Sequence, residues 1–133
     1  MRKKATMPLW PAWLLLAGAA ACAVPAITTS PPAAPRYVAS GHEPGWYLVI
    51  DGGRMDYMGD YREIRITVPQ PPPRTIANGR RFRTPRLTVD IVRARCNELL
   101  TGLGHEDRVT VVADGLRFKG CGGARRIDWD VQN

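Results

Sequence analysis

The sequence predicts an all-β fold: a small antiparallel β-barrel or sandwich of about seven to eight strands, held by one disulfide. Three observations carry this expectation. Apolar and polar residues alternate over short runs, as in Ile64-Arg65-Ile66-Thr67-Val68 and Leu87-Thr88-Val89-Asp90-Ile91. Turn signals separate these runs, and no stretch has a convincing helical period. Two cysteines, Cys96 and Cys121, are left to pair once the N-terminal segment is set aside.

The chain's 133 residues fit one domain behind an export signal. Residues 1–22 read as a signal peptide. Arg2, Lys3 and Lys4 form its positive start, Leu9 to Ala21 its apolar run, and Ala19-Ala20-Ala21 the small residues before cleavage. The apolar run is shorter than the roughly 20 residues of a membrane span. Two cleavages fit. One, before Cys22 in a lipobox-like Leu16-Ala17-Gly18-Ala19-Ala20-Ala21-Cys22, makes Cys22 an acylated first residue; the other, after Ala23, discards it. Lipidation of Cys22 is the reading taken, with the membrane as the partner reached through that anchor. Ala23, rather than Asp, in the second mature position points to the outer membrane. Residues 23–36 carry Pro25, Pro31, Pro32 and Pro35 without apolar periodicity and read as a tether.

The β-domain is expected over residues 37–133. Gly41-His42-Glu43-Pro44-Gly45-Trp46 is a turn-rich start, followed by a strand over Trp46–Ile50, a turn at Asp51-Gly52-Gly53 and a return strand over Arg54–Met58. A half-buried strand over Tyr61–Val68 ends at Pro69-Gln70-Pro71-Pro72-Pro73, which reads as a stiff loop. Gly79 to Arg86 is the most basic window, read as a solvated edge strand. A strand over Leu87–Ala94 leads to Cys96, and Asn97–Asp107 reads as a loop or short helical turn. Strands over Arg108–Ala113 and Leu116–Gly120 flank Asp114-Gly115, the strongest hairpin turn, and a last strand is expected over Ile127–Val131.

Cysteine parity supports export. With Cys22 lipidated or removed, Cys96 and Cys121 form an even pair closing a 26-residue loop. Cleavage also removes three cations, so the mature net charge is +4 rather than the +7 of the whole chain. An envelope location excludes nucleic acid as the natural partner of this basic surface. Anionic envelope glycolipid or another envelope protein takes its place. The candidate contact surface is Arg80, Arg81, Phe82, Arg83 and Arg86.

Motifs of catalysis are missing. There is no G-x-S-x-G, P-loop, dinucleotide fingerprint or H-E-x-x-H, and the cysteines lack metal spacing. The two histidines each sit in a Gly-His-Glu triplet, and His42-Glu43 with His105-Glu106-Asp107 would make a mixed metal site if they met. Nothing in their spacing brings them together, so no metal, no cofactor and no enzyme activity is expected.

Gly41-His42-Glu43-Pro44-Gly45-Trp46, Cys96 and Gly120-Cys121 resemble a family of uncharacterised bacterial envelope lipoproteins that share a G-x-E-P-x-W start, a C-x-D-G-M-S-D-x-x-Y-P loop and a final G-C pair. Gly41, Glu43, Pro44 and Trp46 carry the first motif. Inside the loop the chain departs: Glu98, Leu99-Leu100, Thr101, Gly102 and His105-Glu106 stand where the family has Asp, Gly-Met, Ser, Asp and Tyr-Pro. The wider likeness is to META/HslJ-type domains and lipoprotein lysozyme inhibitors, and it implies a small β-scaffold without a known activity. The expected function is a non-catalytic cell-envelope lipoprotein with a structural or binding role. The alternatives are a lysozyme-inhibitor-like module and, below it, a metal-dependent envelope enzyme using the histidines.

Overall fold

The computed structural model describes residues 34–131 and the isolated positions Thr6, Pro8, Ile27 and Pro32. Cys22 and most of the signal and tether lie outside the described residues. No helix among the described residues is long and apolar enough to cross a membrane.

Nine strands form a single antiparallel sheet: β1 (Tyr37–Gly41), β2 (Trp46–Asp51), β3 (Arg54–Gly59), β4 (Ile64–Pro69), β5 (Arg74–Ile76), β6 (Gly79–Arg83), β7 (Leu87–Asn97), β8 (Gly104–Ala113) and β9 (Leu116–Arg125). Their order across the sheet is β4-β3-β2-β1-β9-β8-β7-β6-β5. Two meanders, β1–β4 and β5–β9, therefore join where β1 pairs with β9. The sheet curls into a half-barrel rather than a closed barrel, and it has nine strands rather than seven or eight. Its two edges, β4 and β5, are neighbours in the chain, linked only by Gln70-Pro71-Pro72-Pro73.

The alternation read from the sequence sets the inner face. Leu87, Val89 and Ile91 are buried on β7, opposite Val109, Val111 and Ala113 of β8. On the other meander Leu48 and Ile50 pair with Tyr57 and Met55, and Ile66 completes the row. Two-residue turns fix these registers. Asp114 (φ 45°) and Gly115 (φ 85°) close β8 onto β9 so that Ala113 faces Leu116. Gly52 (φ 56°) and Gly53 (φ 76°) do the same between β2 and β3. Both central residues are left-handed, as the twist of a two-residue hairpin demands.

Four expectations are corrected. β1 and β5 are strands that the sequence pattern did not signal; β5 is only three residues long. The basic window is not an edge, because β5 covers β6. The Asn97–Asp107 loop shrinks to Glu98–Leu103, since Gly104–Asp107 extend β8 against β7 and β9. The strand expected over Ile127–Val131 is instead a 3-10 turn, Ile127–Trp129. Its alternation does not report burial, for Ile127 is 77% exposed. The turn is held by Trp129, whose indole lies under the Arg126 guanidinium at 4.5 Å and near that of Arg95 at 5.9 Å. The Trp129 carbonyl accepts from Arg95 Nη2 (2.9 Å) and Asn97 Nδ2 (2.6 Å).

Candidate functional site

The Gly41–Trp46 turn and Gly120-Cys121 meet in space, and their meeting is structural. The Trp46 indole is buried, and its Nε1 donates to the Lys119 carbonyl at 3.3 Å. Gly41 and Gly120 make room for the ring: a Cβ would lie 2.1 Å from the indole nitrogen at Gly41, and 2.0 Å from the Ser40 carbonyl oxygen at Gly120. Trp46 also stacks on Tyr57, with ring centroids 6.3 Å apart. Glu43 and Pro44 stay exposed in the turn between β1 and β2. Gly41, Trp46 and Gly120 are therefore a packing unit that pins β1 to β9. Next to it, Cys96 and Cys121 are disulfide-bonded, tying the end of β7 to β9.

The candidate contact window does not form one surface. Phe82 is buried in the core. Arg80 shares Phe82's side of the sheet and lies over the Tyr37 ring at 5.3 Å. Arg81 faces the other side and binds Asp90 through two 2.6 Å hydrogen bonds. Arg86 binds Asp114 in the same two-pronged way at 2.9 and 2.7 Å. Of the window, Arg80 and Arg83 are exposed and unengaged by a carboxylate among the described residues, and Arg80 is taken up by the Tyr37 ring.

A different set of cations gathers on the outer face of β6–β9. Register places Arg83, Thr88, Val112 and Arg117 in one cross-strand row and Arg81, Asp90, Thr110 and Lys119 in the next. Val92, Arg108, Cys121 and Ser40 make the third. Arg83, Arg108, Arg117 and Lys119 are exposed, and among the described residues none of them has a carboxylate within 4.0 Å. Two hollows open on this face and share Thr110. The larger, about 580 Å³, runs from Arg108 and Lys119 over Val92 and the disulfide to His42, Glu98 and Leu99. The smaller, about 200 Å³, lies among Arg81, Arg83, Thr88 and Arg117.

At the far end of the larger hollow the two histidines do converge, but on Glu98 rather than on their own neighbours. His105 Nε2 is 3.1 Å from Glu98 Oε1, and His42 Nε2 is 3.7 Å from Glu98 Oε2. Burial works to raise the Glu98 carboxyl. The Thr101 hydroxyl, donating at 2.6 Å, and then the two histidines outweigh it and hold Glu98 below its ordinary value. The histidines flank the carboxylate through different oxygens instead of sharing a point with it. Among the described residues, no group of three or more His, Cys, Asp or Glu side chains is placed to hold a metal ion. Glu106 and Asp107 are engaged elsewhere: Glu106 pairs with Arg93 and Arg126, and Asp107 accepts from the Tyr37 hydroxyl at 3.1 Å. Burial, then the Asp107 charge, pushes the Tyr37 phenol well above its ordinary range.

Reading by residue window missed Glu98, Arg108, Arg117 and Lys119. The signal was present: with Asp114-Gly115 as a two-residue turn, Arg117 must face Val112 and Lys119 must face Thr110. The chain matches no protein-family model, no curated protein and no solved structure.

Proposed function

We propose that this chain is a non-catalytic bacterial cell-envelope lipoprotein, anchored through Cys22, whose β-domain serves a binding role through the outer face of β6–β9. One observation carries the reading: Arg108, Arg117 and Lys119 stand exposed on the adjacent strands β8 and β9, with Arg83 on the same face two strands away, all without carboxylate partners among the described residues and beside two hollows. Uncompensated like charges on neighbouring strands work against the fold. Their natural counterpart is an anionic ligand or surface. The signal-like start, the proline-rich tether and the resemblance to envelope lipoproteins support the location, with the outer membrane, facing the periplasm, as the favoured site.

A lysozyme-inhibitor role is disfavoured by the same face. Most lysozymes are basic, and a basic surface steers them away.

The test is a pulldown from native envelope with wild-type protein and with the Arg83→Glu, Arg108→Glu, Arg117→Glu, Lys119→Glu variant. The wild type should retain a partner or glycolipid that the reversed face loses and that elutes as salt rises. Equal capture by both proteins rejects the outer face as the binding surface. Intact mass of membrane-extracted protein should show an acylated Cys22; an unmodified Cys22, or its loss, rejects the anchor.

A further inference from the structure

The larger outer hollow combines two chemistries. Its floor is apolar, made of Val92, Gly120 and the Cys96–Cys121 disulfide, and Leu99 borders it from the Glu98–Leu103 loop. Its rim carries Arg108 and Lys119, both exposed and, among the described residues, without a carboxylate partner. Leu99 is held beside this apolar floor, yet it remains 75% exposed. The volume of about 580 Å³ falls within the roughly 300–1,000 Å³ of small-molecule sites.

These features select among ligands. An extended acidic glycan would use the cations but leave Leu99 and the apolar floor unfilled. A neutral apolar molecule would fill the floor and leave Arg108 and Lys119 without counter-charges. A molecule with one anionic head on an apolar chain satisfies both. The loop's own geometry keeps Leu99 in place. The Thr101 hydroxyl donates to Glu98, the Gly102 amide donates to the Glu98 carbonyl at 2.8 Å, and the Glu98 amide donates to the Leu103 carbonyl at 2.9 Å.

We infer that the hollow binds an anionic amphiphile. Its phosphate or carboxylate head lies against Arg108 and Lys119, and its alkyl chain lies over Val92 and the disulfide, beside Leu99. The inference rests on the binding role proposed above and names the ligand class for that face.

The test is calorimetric titration of the full chain, held in discs of zwitterionic phosphatidylcholine, with octyl phosphate; empty discs supply the background. Octyl phosphate should saturate at one molecule per chain. Octanol and inorganic phosphate, which each supply half of the chemistry, should bind at least about tenfold more weakly. Arg108→Glu with Lys119→Glu should weaken octyl phosphate at least about tenfold while far-UV dichroism and the thermal melt are kept. Lys119→Gln, a milder change, should weaken it in the same direction. Leu99→Ser should weaken octyl phosphate and leave inorganic phosphate unchanged.

Equal binding of octyl phosphate and inorganic phosphate overturns the inference in favour of a simple anion site. Equal binding of octyl phosphate and octanol overturns it in favour of an apolar pocket. Binding that survives the charge reversal, or that never saturates above empty discs, overturns it outright. The envelope pulldown is independent of these outcomes: a partner still lost from the four-charge variant upholds the binding face while the amphiphile is rejected.

Discussion

Two arginine-rich regions of this domain differ in what their charges face. At the end formed by the end of β7, the start of β8, the end of β9 and the Ile127–Trp129 turn, Arg93, Arg125 and Arg126 have carboxylates, while Arg95 lies against Trp129. Arg125 binds Asp130, Arg126 binds Asp128 and Glu106, and Arg93 reaches Glu106 and Asp107. Asp130 also accepts from the Gly104 amide at 2.9 Å, which fastens the C-terminal turn to β8. On the outer face, Arg83, Arg108, Arg117 and Lys119 have no such partners among the described residues. Basic composition is common to both regions, so composition does not separate scaffold from contact surface. The separation lies in whether a carboxylate falls within reach after folding.

The largest expected effect tests the element beneath the outer face. Removing the disulfide with Cys96→Ser and Cys121→Ser should cost about 3.5 kcal/mol by the entropy of the loop it closes. Chemical denaturation of the oxidised wild type and the variant measures it. A loss under about 1 kcal/mol would remove the disulfide from the supports of this face.

Next comes a change that should affect the paired region alone. The Arg125 guanidinium and then the Gly104 amide hold the Asp130 carboxyl down at about 2. Its folded value lies below the ordinary 3.8, so its stabilisation is present above that value and is lost as pH falls toward 2. Asp130→Asn should therefore melt below the wild type at neutral pH, and the two melting curves should converge near pH 2. Parallel curves across this range would show that the pair does not hold the turn. Glu98, also held low, adds to the wild-type decline on the same acid side.

The smallest effect sharpens the contrast. Arg83→Glu or Arg117→Glu should change stability by no more than about 0.5 kcal/mol, because each is an exposed site with no partner to lose. Both should nevertheless weaken retention of envelope partners. A stability loss above about 1 kcal/mol in either variant would mean that the outer face is scaffold after all.

Much of the β1–β4 meander was legible because burial and alternation coincide there. In the alternating run Ile64–Val68, Ile66 is buried and Ile64 and Val68 pack against the core. The strands around Asp114-Gly115 were legible for the same reason, and their register followed from the turn. The Ile127–Val131 alternation misled because its apolar positions do not face the core; Trp129 is fixed by guanidinium groups rather than by burial among aliphatics. β5 is too short to show a period, and only its neighbour's unpaired backbone calls for it. The site was legible in pieces. The disulfide followed from cysteine parity, whereas the gathering of His42, Glu98 and His105 depends on long-range pairing of β1, β7, β8 and β9 that local spacing does not encode.

The proline-rich link between β4 and β5 has a consequence for how copies of this domain meet. A half-barrel keeps two open rims, and each rim is a template on which another chain could stack. Here one rim ends in Pro69, the other is three residues long, and Pro71, Pro72 and Pro73 between them have no amide hydrogen to offer. On the membrane proposed above, copies of this domain would meet one another constantly. The same stretch makes the half-barrel a poor seed for a fibre.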